Sequence, residues 1–84
     1  MNKHNDSTIL KHYQLYLDYK ELCRKTKEDH PDFADMVARG YYYNILCRKH
    51  NLTPNYVCSI ICRIMADEDR FKNEVQRATF NLKD

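Results

Sequence analysis

Residues that interrupt regular secondary structure are scarce in this sequence. Its 84 residues include one glycine and two prolines, whereas a β-sheet protein of this length needs more turn residues and more alternation of polar and apolar positions. The sequence therefore predicts an all-α fold, a compact bundle of four to five helices. A chain of this length holds one small hydrophobic core, so we expect residues 1–84 to form a single domain. Residues 1–6 carry no pattern, and we expect them to be disordered.

Long apolar segments are also missing. No apolar run approaches the roughly eighteen residues that a membrane-spanning helix needs, and the first eight residues, MNKHNDST, lack the apolar centre of a secretion signal. We therefore expect a cytoplasmic protein that has no membrane partner. The net charge of +2 is weak, and by itself it neither demands nor excludes nucleic acid as a partner.

Common catalytic motifs are absent as well. The sequence contains no HExxH, no GxSxG and no glycine-rich phosphate loop. Cys47 and His50 are spaced so that a nucleophile and its base could meet on one helix, but a small helical domain with one core offers little cleft around them. We expect no enzyme activity, no catalytic residues, no cofactor and no small-molecule substrate.

One stretch does carry a clear pattern, YNILCRKHNLTPNYVCSIIC at residues 43–62. It predicts two helices joined by a tight turn, with Leu46 and Cys47 facing inward from the first. Asn51 can adopt the left-handed conformation that ends this first helix. Thr53 is a favourable N-cap for the second helix, and Pro54 is tolerated at the first helical position. Apolar residues at helical spacing then predict a buried face of the second helix, formed by Val57, Ile60, Ile61 and Ile64.

This segment resembles the helix-turn-helix of small bacterial and phage regulators and of transposase N-terminal domains. The resemblance rests on a small residue in the first helix, on the turn and its cap, and on two apolar residues three apart, which are Cys47, Asn51, Leu52, Thr53, Val57 and Ile60. Asn51 stands where glycine is commoner, and His50 stands where an apolar residue is usual. The match covers about a quarter of the chain. It implies a three-helical core with flanking helices, whose second helix, at about residues 53–65, enters the major groove of DNA.

If the apolar stripe faces the core, the opposite face of the second helix exposes residues that suit contacts in a DNA groove. Two basic residues just before the turn would lie near the phosphates. The resemblance and these residue types together predict a double-stranded DNA-binding set of Arg48, Lys49, Thr53, Asn55, Tyr56, Ser59 and Arg63. A solvated helix face would carry similar residues, so that alternative stays open. A homodimer would double the contacts and set the spacing of two half-sites.

A protein-binding adaptor without DNA affinity is the alternative function. The first helix carries apolar side chains over an arc too wide for one neighbour, so it is either wrapped by the other helices or partly covered by another chain. The run Tyr41, Tyr42 and Tyr43 points around most of a helix, and we expect Tyr42 to pack while another tyrosine reaches the surface. The weak net charge favours this alternative.

Four cysteines are present, without a CxxC pair. The nearest pattern to a metal site combines Cys47, His50, Cys58 and Cys62, with pairs spaced by three or four residues on two helices. The helical register argues against this site, because Cys47 would face the core while Cys58 and Cys62 lie away from the apolar stripe. We expect core or surface thiols and assign no metal ligand, and metal binding by these four residues stays an open question.

The chain before the helix pair predicts two further helices. One begins near Asp6 and runs to about Lys25. The second spans residues 32–38, because Pro31 favours a restart of the helix, and its inward residues are Phe33, Met36 and Val37. We expect a break near Gly40, where the phase of the apolar residues shifts, and the alternative is one continuous helix that runs to Lys49.

A last amphipathic helix is expected after the helix pair. Asp67 can cap it, and its apolar residues follow at spacings of four, three and four, namely Phe71, Val75, Ala78 and Leu82. We expect this helix to pack over the core or to complete a dimer.

Overall fold

The first helix is the longest element, and each of the other four helices packs against it. A computed structural model describes residues 6–82, and its helices are α1 (Asp6–Asp29), α2 (Pro31–Met36), α3 (Arg39–Lys49), α4 (Pro54–Ala66) and α5 (Glu68–Leu82). Residues 6–82 include no β-strand, so the predicted all-α bundle is confirmed. Asp6 begins α1 instead of ending a disordered segment, and residues 1–5, for which disorder was also predicted, lie outside the described residues.

The core lies where α1, α3 and α4 meet. All four residues of the predicted apolar stripe on α4 are buried, with exposed fractions between 0 and 3%. Leu46 and Cys47 face them from α3, as predicted, with exposed fractions of 2% and 8%. The buried part of α1 adds Leu15, Tyr16 and Tyr19. Because α1 contacts all the other helices, its wide apolar arc is largely covered within the chain.

The three consecutive tyrosines divide between core and surface. Tyr42 and Tyr43 are each 6% exposed, whereas Tyr41 is 42% exposed. Tyr19 of α1 packs against both buried rings, with centroids 6.1 Å from that of Tyr42 and 5.9 Å from that of Tyr43. This confirms the prediction that Tyr42 packs while another tyrosine reaches the surface, and it joins the start of α3 to the middle of α1.

The last helix runs antiparallel to α1. Near its start, Glu68 accepts a hydrogen bond from Tyr16 Oη at 2.7 Å, and near its end the Asn81 amide donates to Asp6 at 3.1 Å. The predicted cap at Asp67 is confirmed, because its carboxylate accepts a hydrogen bond from the Arg70 backbone N–H at 3.2 Å. Phe71 and Ala78 are buried and Val75 is half-buried. Leu82 is 52% exposed, so the end of the predicted apolar stripe is not covered within the described residues, and completion of a dimer by this helix stays a prediction.

The first helix is longer than predicted, since it runs to Asp29 instead of ending at about Lys25. Within its last turns, Arg24 forms ion pairs with Glu21 and Glu28 at helical spacings of three and four, and such pairs support an exposed helix end. The helix stops where the sequence requires it. His30 precedes Pro31 and has a non-helical φ of −142°, as a residue before proline usually does.

The second helix departs most from the prediction. It ends at Met36, and two of its three supposedly inward residues are exposed, Phe33 by 44% and Met36 by 85%. Among the helices of residues 6–82, α2 packs against α1 alone, and a helix of six residues has too few turns to bury side chains on more than one side. The predicted break exists but lies earlier than Gly40, because Val37 and Ala38 are extended, with ψ of 140° and 155°. Gly40 itself lies in the first turn of α3.

Candidate nucleic-acid interface

The turn between α3 and α4 has the conformation that the sequence predicts. Asn51 has a φ of 58°, and no other residue among residues 6–82 has a positive φ. Leu52, half-buried beside the core, donates its backbone N–H to the Cys47 carbonyl at 2.8 Å. This bond closes the Schellman motif that commonly ends a helix at a left-handed residue. The turn therefore fixes the direction in which α4 leaves α3.

The start of α4 is also set by local chemistry. The Thr53 hydroxyl accepts a hydrogen bond from the Tyr56 backbone N–H at 3.2 Å, and Pro54 occupies the first helical turn. Thr53 is thus an N-cap, as predicted, and its side-chain oxygen is engaged by the backbone of the protein. A DNA contact by Thr53 stays a prediction, whereas its role as the cap of α4 follows from this hydrogen bond.

The exposed face of α4 is centred on short side chains. At 100° per residue, Asn55, Ser59, Cys62 and Ala66 lie opposite the buried stripe, and all four are exposed. Tyr56 and Arg63 form the edge of this face that is nearer to α1, since both contact that helix. We call these six residues the α4 face. Its centre has no bulky or charged side chain, so another molecule can approach the helix backbone closely.

A buried histidine joins the α4 face to α1. His12 is 4% exposed, its Nδ1 lies 2.9 Å from Arg63 Nη2, and its Nε2 lies 3.2 Å from Tyr56 Oη. A guanidinium can only donate hydrogen bonds, so Nδ1 is the acceptor and the ring proton belongs on Nε2, where it is donated to Tyr56. The burial of His12 was not predicted from the sequence. Its spacing of four from Tyr16 and seven from Tyr19, both core residues, was the signal that could have revealed it.

The two basic residues before the turn, Arg48 and Lys49, differ in their ion pairing. The Lys49 ammonium lies 3.2 Å from one carboxylate oxygen of Asp18, and His50 Nε2 lies 2.8 Å from the same oxygen. Burial alone would raise the pKa of Asp18, but hydrogen bonds from Lys49, His50 and Gln14 together lower it. Arg48 is exposed and forms no ion pair within residues 6–82. Of the two predicted phosphate contacts, Arg48 is therefore the more available.

The four residues weighed as a metal site do not converge. Cys47 is buried and its thiol donates to the Asn44 carbonyl at 3.1 Å, whereas His50 is bound to Asp18. Cys58 and Cys62 alone lie close together, with sulfurs 3.9 Å apart. Among residues 6–82 no group of three or more His, Cys, Asp or Glu side chains is placed to hold a metal ion.

Comparison with known proteins assigns this chain to no family. No protein-family model, curated protein or solved structure matches this chain. Within residues 6–82, no helix combines the length and the apolar character that crossing a membrane requires. The interpretation of the α3–α4 unit therefore depends on its own geometry.

Proposed function

We propose that this protein binds double-stranded DNA sequence-selectively through α4, as a small transcriptional regulator or as the DNA-binding component of a mobile-element or phage system. The observation that carries the proposal is the α3–α4 unit itself. A left-handed Asn51 and a capping Thr53 hold two helices together, and the second of them turns a row of short, exposed side chains away from the core. A helix of 13 residues with such a face has the dimensions of a major-groove reader.

The chemistry of the face suits this role. The Asn55 side chain can pair with an adenine edge through two hydrogen bonds, and the Ser59 hydroxyl can donate to or accept from any base. Arg48, Lys49 and Arg63 would contact phosphates on either side of the groove. Lys49 would exchange its ion pair with Asp18 for a phosphate oxygen. Arg63 would keep its hydrogen bond to the buried His12 and contact phosphate through its other N–H groups. A second copy of the chain would supply a second half-site.

The test of this proposal separates base reading from phosphate binding. The wild-type protein is used to select binding sites from a random duplex library, and the selection is repeated with Asn55→Ala and with Lys25→Ala. Lys25 is exposed on α1 and is the charge control. We expect a defined consensus for the wild type and Lys25→Ala, and loss of preference at one position for Asn55→Ala. Recovery of no consensus by the folded wild-type protein would contradict sequence-selective binding.

A protein-binding adaptor is the second candidate, and one specific observation favours it. Phe33, Met36 and Tyr41 expose apolar surface around the α2–α3 junction, where the Phe33 and Tyr41 rings pack edge to face with centroids 5.0 Å apart. Clustered exposed apolar residues are common at protein interfaces. A folded protein that has no affinity for any duplex, even at low salt, would favour this candidate over DNA binding.

A further inference from the structure

We propose that an exposed patch at the α2–α3 junction docks a basic amphipathic helix of another protein. The patch consists of the apolar side chains of Phe33, Met36 and Tyr41, which are 44%, 85% and 42% exposed, and of the exposed carboxylates of Asp32 and Asp35. We call these five residues the junction patch. The inference rests on the second candidate function, whose partner it names, and it does not depend on DNA binding by α4.

The apolar part of the junction patch is continuous and anchored to the core. The Phe33 and Tyr41 rings pack edge to face with centroids 5.0 Å apart, and Tyr41 also packs against the buried ring of Tyr42, with centroids 5.4 Å apart. Met36 follows Phe33 by three residues, so the two side chains are neighbours on one side of α2. The aromatic rings are therefore held in place, whereas the flexible methionine can adapt to a partner.

Carboxylates border this apolar surface on the side of Met36. At about 100° per residue, Asp32 lies about 40° from Met36 around α2, and Asp35 lies about 100° from it. Both aspartates are exposed and form no ion pair among the described residues. Residues 28–38 contain four carboxylates and no Lys or Arg. A partner with Lys or Arg beside its apolar residues would complement this arrangement.

The same charges disfavour other occupants of the surface. With the adjoining Lys27 and Arg39 included, residues 27–39 still hold four acidic and two basic side chains. Nucleic acid and anionic lipid would meet carboxylates beside the apolar residues. A second copy that used the same patch in a symmetric dimer would bring the aspartates of both chains together. A basic protein surface meets neither of these repulsions.

The all-α fold limits the secondary structure of the partner. Residues 6–82 include no β-strand, so an extended partner would find no sheet edge to satisfy its backbone hydrogen bonds. An amphipathic helix satisfies its own backbone and presents apolar residues at spacings of three and four. Those residues would cover Phe33, Met36 and Tyr41, while the basic side chains beside them would reach the two aspartates.

The junction patch lies apart from the α4 face. Among the helices of residues 6–82, α2 packs against none but α1, and the contact with Phe33 places Tyr41 on the side of α3 that is next to α2. The two surfaces share no residue. A chain that binds DNA through α4 can therefore hold a second protein at the junction patch.

The experiment titrates the full-length protein, without DNA, with a synthetic leucine–lysine peptide whose leucines have helical spacing. The methionine methyl groups are isotopically labelled, and NMR locates the bound peptide. We expect a saturable shift of the Met36 methyl signal and no shift of the Met65 signal, since Met65 is also exposed but lies on α4. A leucine–glutamate peptide of the same spacing should shift neither signal, and a scrambled leucine–lysine peptide should bind more weakly.

Variants separate the two parts of the junction patch, and fluorescence anisotropy of the labelled leucine–lysine peptide measures their affinity. Met36→Ser removes an apolar anchor and should weaken binding about tenfold, as truncation of an interface anchor does, whereas the matched control Met65→Ser should bind like the wild type. Asp35→Asn should weaken binding about twofold to fivefold, the scale of one exposed charge pair, and less at high salt. Asp69→Asn, at an exposed carboxylate on α5, is its control.

Three results would each overturn the proposal: no binding of the leucine–lysine peptide, a shift of the Met65 signal instead of the Met36 signal, and equal affinity of Met36→Ser and wild type. Equal binding of the leucine–glutamate peptide would overturn the choice of a basic partner. Circular dichroism of each variant checks the fold. Sedimentation without peptide tests for a second copy, and a dimer that Met36→Ser dissociates would also overturn the proposal. Failure of DNA binding in its own assay would leave these results unaffected.

Discussion

The Arg63 guanidinium on α4 donates to Nδ1 of His12 on α1, across a distance of 2.9 Å. Because the histidine is buried and also contacts Tyr56, it holds two residues of the α4 face against the longest helix. The orientation of α4 is therefore set by polar contacts at its edge as well as by its apolar stripe. Arg63 is consequently both a structural residue and a candidate phosphate contact, and its substitution alone cannot test DNA binding cleanly.

The contribution of His12 to stability is directly measurable. His12→Leu keeps the buried volume but leaves the Tyr56 hydroxyl and the Arg63 guanidinium without this partner. We expect a loss of about 1–3 kcal/mol in the free energy of unfolding, as for other lost buried hydrogen bonds, measured by urea denaturation. His30→Leu, at an exposed histidine, is the control and should change stability little. Equal stability of His12→Leu and wild type would show that the bridge contributes nothing.

The left-handed residue of the turn gives a second prediction. Asn51→Ala keeps the Cβ at a φ of 58° but removes the short polar side chain that lets asparagine tolerate this conformation, and we expect it to destabilise the protein by about 1 kcal/mol. Asn51→Gly should be neutral or stabilising, because glycine adopts this conformation without strain. Thermal melts followed by circular dichroism measure both. Similar melting temperatures for the two variants would mean that the left-handed φ of residue 51 does not limit stability.

The N-cap of α4 gives a third prediction about stability. Thr53→Ala removes the oxygen that accepts from the Tyr56 N–H and should cost about 1 kcal/mol of stability. Thr53→Ser retains a capping hydroxyl and should restore most of the loss. The measurement is the free energy of unfolding in urea for the three proteins. If serine does not rescue the alanine variant, the hydroxyl is not the source of the effect.

The pH dependence of stability follows from Asp18. Although burial alone would raise its pKa, hydrogen bonds from Lys49, His50 and Gln14 lower it below the ordinary 3.8. A carboxyl whose pKa is lower in the folded state stabilises the protein above the unfolded pKa, and this contribution is lost as the pH falls through the folded pKa. Asp18→Asn should therefore be destabilising at pH 7, and the difference from wild type should shrink below about pH 4.

Urea denaturation at pH 7, 5 and 3 measures this difference. Asp35→Asn is the control, because Asp35 is exposed and has no ion pair among the described residues. A gap between Asp18→Asn and wild type that is as large at pH 3 as at pH 7 would contradict the assigned role of the carboxylate.

The features that the sequence predicted well are those determined within a few residues. Asn51 ends a helix and Thr53 begins one through bonds to their own neighbours, and the stripe of α4 is a matter of spacing alone. The exposure of Phe33 depends on how much of α1 the other helices leave for α2 to cover. The sequence near Phe33 does not contain that information. Lys49 meets Asp18 across 31 positions of sequence, so its engagement could not be foreseen from the residues around it.

His12 was overlooked for a different reason. Counting only apolar residues along α1 placed a polar side chain outside the predicted core, although its spacing from Tyr16 and Tyr19 puts it on the same face. A polar side chain can be buried when it finds hydrogen-bond partners in the core. The partners of His12, Tyr56 and Arg63, come from another helix.

The most direct test of DNA binding is the salt dependence of affinity for a duplex, measured by fluorescence anisotropy. Contacts from Arg48, Lys49 and Arg63 would release counterions from three phosphates, which predicts a slope of log K against log salt of about −2.7 per chain. Arg48→Ala should reduce that slope by about one, and Lys25→Ala should leave it unchanged. Absence of binding at low salt by the folded protein, or an affinity that does not depend on salt, would contradict the proposal.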